Sequence, residues 1–479
     1  MSDWLSLLGL DLAVAGVAAL VLLGDALVPG HGRFWGWLTA ALLSLVLAAS
    51  FLVDLRGATP HGAYVSDAFV LFLKRVFLAA GILSVLGAID WLEEQAPRRQ
   101  AEYHALLLFS LTGMMILPGV RDWALLVLSF ELMSIPLYVL AAWAKTDGPE
   151  DRPKLAAEAG LKLFVTGASS SALTVFGLAL IVGLTGTTHL QAGGAGPMPP
   201  LLAVGLLLVV AGFGFKVGAV PFHFWVPDTY QGAPTPFVAF LSVAPKAGGL
   251  AALVVVLLSG WGAQLALWRP ALVLLSVASM LVGNFFALGQ SDVRRLLGFS
   301  GIAQIGYVLV ALSAATQFGV AMALFFIATY VFTNLGAFLV VHAAAERSGG
   351  HDLPRLAGLS RRAPFLGAAL LVFLLSLAGI PFVAGFWAKL FVFLAGYRAG
   401  LVSPVVLGVA LAVVGLFYYL GVARSTFMHD GSSSAPVPAG FPLRLAIVAC
   451  LLAVVGFGLW PGPLVDEANR AAQAFASGP

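Results

Sequence analysis

An all-α polytopic membrane protein of about fourteen transmembrane helices is the fold class this sequence predicts. Three observations carry it. Hydrophobic residues make up 60% of the 479 positions and charged residues only 10%, against roughly 25% charged in a soluble domain. Mean hydropathy is +0.99. The apolar residues fall in long continuous runs without period-2 alternation, so helices and not strands are the spanning elements.

The runs can be taken in order. The first, near 5–28, has no basic region or cleavage site before it and reads as a retained span, not a signal. Two more follow near 34–53 and 69–89, then five near 104–120, 123–144, 160–184, 200–220 and 236–258. Another five lie near 270–289, 300–315, 318–342, 364–397 and 402–424, and a last one near 443–461. No extramembrane domain interrupts them. "GGAGPMPP" (Gly193 to Pro200) and "GSSSAPVPAG" (Gly431 to Gly440) read as surface turns.

Composition also excludes function classes. The net charge is only +3 and no basic block exists, so nucleic-acid binding has no support. A lone cysteine, Cys450, rules out a disulfide framework and a cysteine-ligated iron–sulfur centre. No Gly-x-Gly-x-x-Gly sits at a strand–helix junction to hold a dinucleotide. Lysine and arginine set the orientation. Loops on one side, holding Arg98, Arg99, Arg294, Arg295, Arg355 and their neighbours, outweigh the other side by about two to one. Both termini are therefore expected outside the cytoplasm. Lys74 and Arg75 fall inside the third run and are expected to snorkel to its end.

Inside the runs lie Lys162, Lys216, Lys246, Lys389 and Glu131, with His223 just beyond the seventh run. A lysine at a bilayer centre costs at least about 2.5 kcal/mol, so it normally faces protein or a water path. Two segments, 200–229 and 364–397, are also overlong for one crossing. Each carries a mid-segment proline, in "GAVPFHFW" (Gly218 to Trp225) and "GIPFVAGFW" (Gly379 to Trp387), and each has a lysine close by. A proline there removes a backbone hydrogen bond and breaks the helix. Paired broken helices in two halves point to an ion site.

Four stretches carry a family resemblance: "FELMSIPLYVLAA" (Phe130 to Ala142), "FKVGAVPFHFWVPDTYQGAPTPFVAFLSVAPKAGG" (Phe215 to Gly249), "QSDVRRLLGFSGIAQIGYVLVAL" (Gln290 to Leu312) and "LLSLAGIPFVAGFWAKLFVF" (Leu374 to Phe393). Over nearly its whole length the chain resembles the antiporter-like N subunits of the proton-pumping NADH–quinone oxidoreductase, respiratory complex I. The superfamily is shared with subunits of multisubunit Na⁺/H⁺ antiporters. The resemblance implies N-terminal helices over 1–103, two inverted five-helix repeats over 104–260 and 261–428, and a loop with the last helix over 429–479. Each repeat is expected to contain one discontinuous helix. Lys389 in place of glutamate disfavours the M-type sibling, and the short stretch after the last span disfavours the L-type.

The same resemblance implies proton transfer through Glu131, Lys216, Lys246 and Lys389, with His223 and Lys162 as further members. Glu131 and Lys216 are expected to form a switchable pair, since making or breaking an ion pair shifts both partners. Lys246 is the central relay, or else an ordinary helix-end lysine in "APKAGG". Lys162 either relays protons or forms an i, i+4 pair with Glu158. His223 relays protons at its ordinary titration range or is satisfied by a neighbouring hydroxyl or carbonyl. Ser169, Ser170, Ser171, Thr174, Thr333, Tyr307 and Tyr330 are candidates to line water paths. No cofactor or metal is expected in this chain. NADH, FMN, iron–sulfur clusters and quinone are expected in partner subunits, and the expected partners are other membrane-arm subunits, including further antiporter-like ones. The expected setting is the cell inner (plasma) membrane. A subunit of a Na⁺/H⁺ antiporter or of a membrane-bound hydrogenase is the alternative.

Overall fold

A computed structural model describes all residues except 1, 29, 54, 146–150, 191–197, 349, 432–435 and 478–479. After the short α1 (Ser2–Leu7), the chain forms α2 (Gly9–Leu27), α3 (Gly32–Leu52), α4 (Ala68–Gln95) and α5 (Gln100–Ile116). A two-residue antiparallel pairing, β1 (Gly57–Ala58) with β2 (Val65–Ser66), closes the α3–α4 loop. Next come α6 (Trp123–Ala141), α7 (Asp151–Thr185), α8 (Pro200–Val217), α9 (Trp225–Gly232), α10 (Thr235–Leu241) and α11 (Ala244–Val254). The remainder is α12 (Leu265–Leu288), α13 (Val293–Ser313), α14 (Gln317–Ser348), α15 (Leu359–Arg362), α16 (Pro364–Ala378), α17 (Ala384–Arg398), α18 (Val402–Met428), α19 (Phe441–Leu459) and α20 (Gly462–Ser477).

Among the described residues, 13 helical stretches are long and apolar enough to cross a membrane, and Pro364–Ala378 is a shorter apolar helix. Together they fall on all the runs read from the sequence. Aspartates start several of them: Asp67, Asp122 and Asp292 each accept a backbone N–H from the first turn of α4, α6 and α13. Such caps satisfy donors that a helix start leaves open.

Burial is graded from the centre outward. Every residue of α13's apolar stretch is enclosed, whereas α2, α3, α7 and α18 turn much of their surface outward. Their outer faces are apolar, with Leu23, Leu45 and Phe417 all more than half exposed. Water would penalise such a surface, and hydrocarbon solvates it.

Both overlong segments are discontinuous, and the structure corrects the reason. Proline does not end either half-helix. α8 stops at Gly218 (φ 73°, ψ 34°) and α16 at Gly379 (φ 87°, ψ 34°). That left-handed conformation suits glycine because it lacks a Cβ. Both ends close in the same way. Gly218 N–H bonds Phe215 O and Ala219 N–H bonds Gly214 O; Gly379 N–H bonds Ser376 O and Ile380 N–H bonds Leu375 O. These are paired Schellman caps, and Pro221 and Pro381 lie in the connections beyond them. A third interruption separates α10 from α11 at Ser242 and Val243. It went unread in the sequence, although Pro245 has no N–H to offer Leu241 O.

The helix α20 was also unforeseen. Its Ala468, Ala471 and Ala472 are buried, and the helix packs on α4 and α14. Glu467 on α20 holds Arg75 of α4 at 3.1 Å.

Candidate functional site

The first break brings α6 and α8 together. α6 lines up Glu131, Ser134 and Tyr138, spaced i, i+3, i+7 on one face. Lys216 lies in the last turn of α8, buried, and its Nζ donates to Ser134 Oγ at 2.7 Å and to Tyr138 OH at 3.1 Å. The Phe130 ring lies 4.5 Å from the same ammonium. No direct ion pair joins Glu131 to Lys216 here, so of the two forms of a switchable pair the structure holds the unpaired one. Glu131 is half-buried one turn away, near enough for its charge to act on Lys216. Lys216 is held instead by the hydroxyls of Ser134 and Tyr138.

Lys246 occupies the middle. It lies in the first turn of α11 and is 1% exposed, yet its Nζ has no hydrogen-bond partner in the protein. The Tyr230 ring lies 5.6 Å away. The positive end of a helix dipole is an unfavourable place for a cation. Lys246 is thus a helix-end lysine, as one alternative had it, but a buried one, and of Lys216, Lys246 and Lys389 it alone lacks a hydrogen bond to the protein.

The second break uses its lysine differently. Lys389 comes from α17, after the break, and reaches back to the end of α16. Its Nζ donates to Leu377 O at 2.7 Å and Ala378 O at 2.9 Å. Those are carbonyls that the Schellman cap leaves open. Gln304 Nε2 of α13 also donates to Leu377 O at 3.0 Å, and the Tyr307 ring lies 5.2 Å from the ammonium. Lys389 and Gln304 thus share one acceptor.

The other singled-out residues divide. Lys162 does form the pair with Glu158 (2.7 Å) and adds a stronger tie to Asp228 (2.6 Å), which Arg295 also holds at 2.6 Å. Its side chain is 42% exposed, so it lies apart from the enclosed lysines. His223 sits in the connection after the first break, buried, stacked near Phe224 at 4.6 Å and with Nδ1 unbonded. Ser169 and Thr174 bond carbonyls of their own helix, whereas Ser170 crosses to Gly212 O at 2.9 Å. Thr333 Oγ1 meets Ser376 Oγ at 3.1 Å and Tyr307 OH accepts from Asn284 at 3.0 Å. Ser171 Oγ and Tyr330 OH have no partner.

One charged pair was missed altogether. Lys74 does not snorkel: it is fully buried and paired with Asp11 of α2 at 2.5 Å, itself 1% exposed. The signal was available, since Asp11 is the one acid in the first run before Asp25, but only the fold shows which cation it meets. No cluster of three or more histidine, cysteine, aspartate or glutamate side chains suited to a metal occurs among the described residues.

Two broken helices with a buried lysine at each break, and a third buried lysine on an enclosed helix, define a membrane protein of the ion-translocating class. Sequence comparison agrees with that class. The family described as NADH:quinone oxidoreductase/Mrp antiporter, TM, matches residues 120–415. The chain belongs to this family, within its NADH-quinone oxidoreductase subunit N group. It is 38% identical to subunit N of Heliobacterium modesticaldum over 91% of each chain. A chain of respiratory complex I from Thermus thermophilus with bound aureothin is similar at a TM-score of 0.81, with 33% identity, over 95% of this chain and 98% of that one. A chain of the Mrp complex from Dietzia sp. shares the fold, with a TM-score of 0.86 at 20% identity and 98% coverage of both.

Proposed function

We propose that this chain is a proton-translocating membrane subunit of an NADH:quinone oxidoreductase, coupled to redox chemistry that partner subunits perform. One observation carries the reading: Lys246 Nζ is enclosed and has no acceptor. A buried charge without a partner is costly and is shed unless it serves a purpose. An amine that must gain and release a proton in turn has that purpose.

Lys216 and Lys389 flank it at the two breaks. In this reading Glu131 and Lys216 load the first half-channel, Lys246 passes the proton inward, and Lys389 releases it. His223 borders the first break, and the Lys162–Asp228–Arg295 network anchors one membrane face. The helices over 104–260 and 261–428 act as two inverted repeats, a relation that the matching glycine caps support. The chain spans a bacterial plasma membrane with both termini on the non-cytoplasmic side. NADH, FMN, iron–sulfur clusters and quinone are bound by its partners, among them other antiporter-like subunits.

The test is Lys246→Met in the assembled complex, reconstituted into vesicles. Proton flux per electron should fall by about tenfold or more, while thermal stability holds or rises because an uncompensated charge has gone. Normal flux at full assembly would refute the reading. The proteins that co-purify in mild detergent decide between a quinone reductase and an antiporter complex.

A further inference from the structure

Two of the three helix interruptions are fastened to one unbroken helix. α14 runs through the enclosed centre with no proline and no gap, and the adjacent residues Thr333 and Asn334 near its middle each reach a different break. Asn334 Nδ2 donates to Ser242 Oγ at 2.8 Å, at the point where α10 stops short of α11. Ser242 Oγ in turn donates to Ala239 O at 2.8 Å. Among the described residues, the bond from Asn334 is the one side-chain hydrogen bond that another helix makes to that break.

Thr333 serves the second break. Its hydroxyl donates to Thr329 O at 2.9 Å, which leaves its oxygen to accept from Ser376 Oγ at 3.1 Å. Ser376 Oγ also accepts the Gly385 N–H at 3.0 Å. Ser376 is in the last turn of α16 and Gly385 in the first turn of α17, so one hydroxyl spans the break. Thr333, Asn334, Ser242 and Ser376 are all buried. Each tie lies beside a lysine. Ser242 is one turn before Lys246, and Ser376 precedes Leu377 and Ala378, whose carbonyls hold Lys389. The face of α14 that carries Asn334 also flanks Lys246. One turn earlier, Tyr330 lines a small void together with Lys246. One turn later, Phe338 meets the Tyr230 ring edge-on at 5.7 Å, and that ring is the one near Lys246 Nζ.

We propose that Thr333 and Asn334 form a two-sided clasp: a pair of positioning residues that ties the α10–α11 break and the α16–α17 break to the same point on α14, and so fixes where Lys246 and Lys389 sit. At a break the ladder of backbone hydrogen bonds is interrupted, so the second half of the helix takes its direction from contacts outside itself. Here those contacts are a hydroxyl and an amide on consecutive residues of a continuous helix. A shift at one break therefore moves α14 against the other. Packing alone does not call for these residue types, because valine and leucine would fill the same space. A satisfied polar contact in an enclosed core selects one geometry, which apolar packing specifies less sharply.

This inference rests on the reading of Lys246 as a proton carrier, and the test separates the two. Thr333→Val, Thr333→Ser, Asn334→Leu and Ser242→Ala are compared with Lys246→Met for proton flux per electron in reconstituted vesicles at matched assembly. Thr333→Val keeps the shape and removes the hydroxyl, while Thr333→Ser keeps the hydroxyl and removes a methyl. Thr333→Val and Asn334→Leu should each lose about tenfold, and Thr333→Ser should stay within about twofold of the unaltered chain. Equal loss in the valine and serine variants would mean that shape and not the hydrogen bond matters, and would overturn the proposal. So would normal flux in Thr333→Val. Ser242→Ala removes the acceptor of Asn334 without adding volume, so it serves if Asn334→Leu fails to assemble, and normal flux there would also overturn the clasp. Combining Thr333→Val with Asn334→Leu should cost no more than about twofold beyond either alone, because the two act as one unit. Losses that multiply would show two independent contacts and refute it. If Lys246→Met itself pumps normally, the underlying reading is the one that fails.

Discussion

Lys74 and Lys216 are both ammonium groups buried among apolar helices, but their surroundings divide them. Lys74 is neutralised on the spot by the carboxylate of Asp11 at 2.5 Å. Lys216 is held by two hydroxyls, with its nearest carboxylate, Glu131, left outside hydrogen-bonding contact. A closed pair fixes a protonation state and docks α2 on α4. An amine among hydroxyls can change its state without stranding an opposite charge. Lys389 stands between these cases, compensated by carbonyl dipoles instead of a carboxylate.

The largest expected effect tests the closed pair. Asp11→Leu strands the Lys74 charge and should destabilise the chain by about 3–5 kcal/mol, read as thermal unfolding in detergent. Adding Lys74→Met should return most of it, because an apolar pair of similar volume is neutral or better. A double variant as unstable as the single one would erase the contrast with Lys216.

Lys389→Met comes next. It leaves Ala378 O without its donor and Leu377 O with Gln304 alone, at a cost of about 2 kcal/mol. Proton flux should fall with it, so here stability and pumping are lost together. Preserved stability would show that other donors serve the second break.

At the first break a tryptophan adds a second donor to a carbonyl that the cap already uses. Trp225 Nε1 donates to Phe215 O at 3.0 Å, and Trp225→Phe should cost about 1 kcal/mol with flux largely kept. The smallest stability effect is reserved for Glu131→Gln. It breaks no ion pair and should move unfolding by less than about 1 kcal/mol while lowering flux. A large loss of stability instead would reveal a Glu131–Lys216 pair that dominates in the membrane.

Much of this was readable from sequence because lipid imposes a simple rule. A run of about twenty apolar residues must be helical, as nothing else satisfies its backbone there. Overlength exposed the two breaks, since 200–229 and 364–397 exceed one crossing. Their cause was misassigned to proline because a left-handed glycine leaves no mark beyond its letter. Lys216, Lys246 and Lys389 were legible as charges out of place, but their partners were not. The Lys216 hydroxyls come from residues roughly eighty positions earlier, and Lys74 meets Asp11 across a separation of 63. The helix α20 escaped notice because its buried face is alanine at i, i+3 and i+4, too weakly apolar to register as a run.

The adjacent cations of α4 also set an order of events in biosynthesis. The Asp11 carboxylate precedes Lys74 on the nascent chain, so that charge meets its counterion as α4 enters the bilayer. Arg75 finds no acid at first, only the Ser50 hydroxyl at 3.3 Å, the Ser50 carbonyl at 2.7 Å and the Phe51 ring at 4.0 Å. Glu467, its acid, is separated from it by 392 residues, a delay of roughly 20–80 s at ordinary synthesis rates. Until α20 arrives, one face of α4 carries an unmet positive charge beside exposed apolar surface. Docking of α20 on α4 is thus the step that gives Arg75 its carboxylate partner.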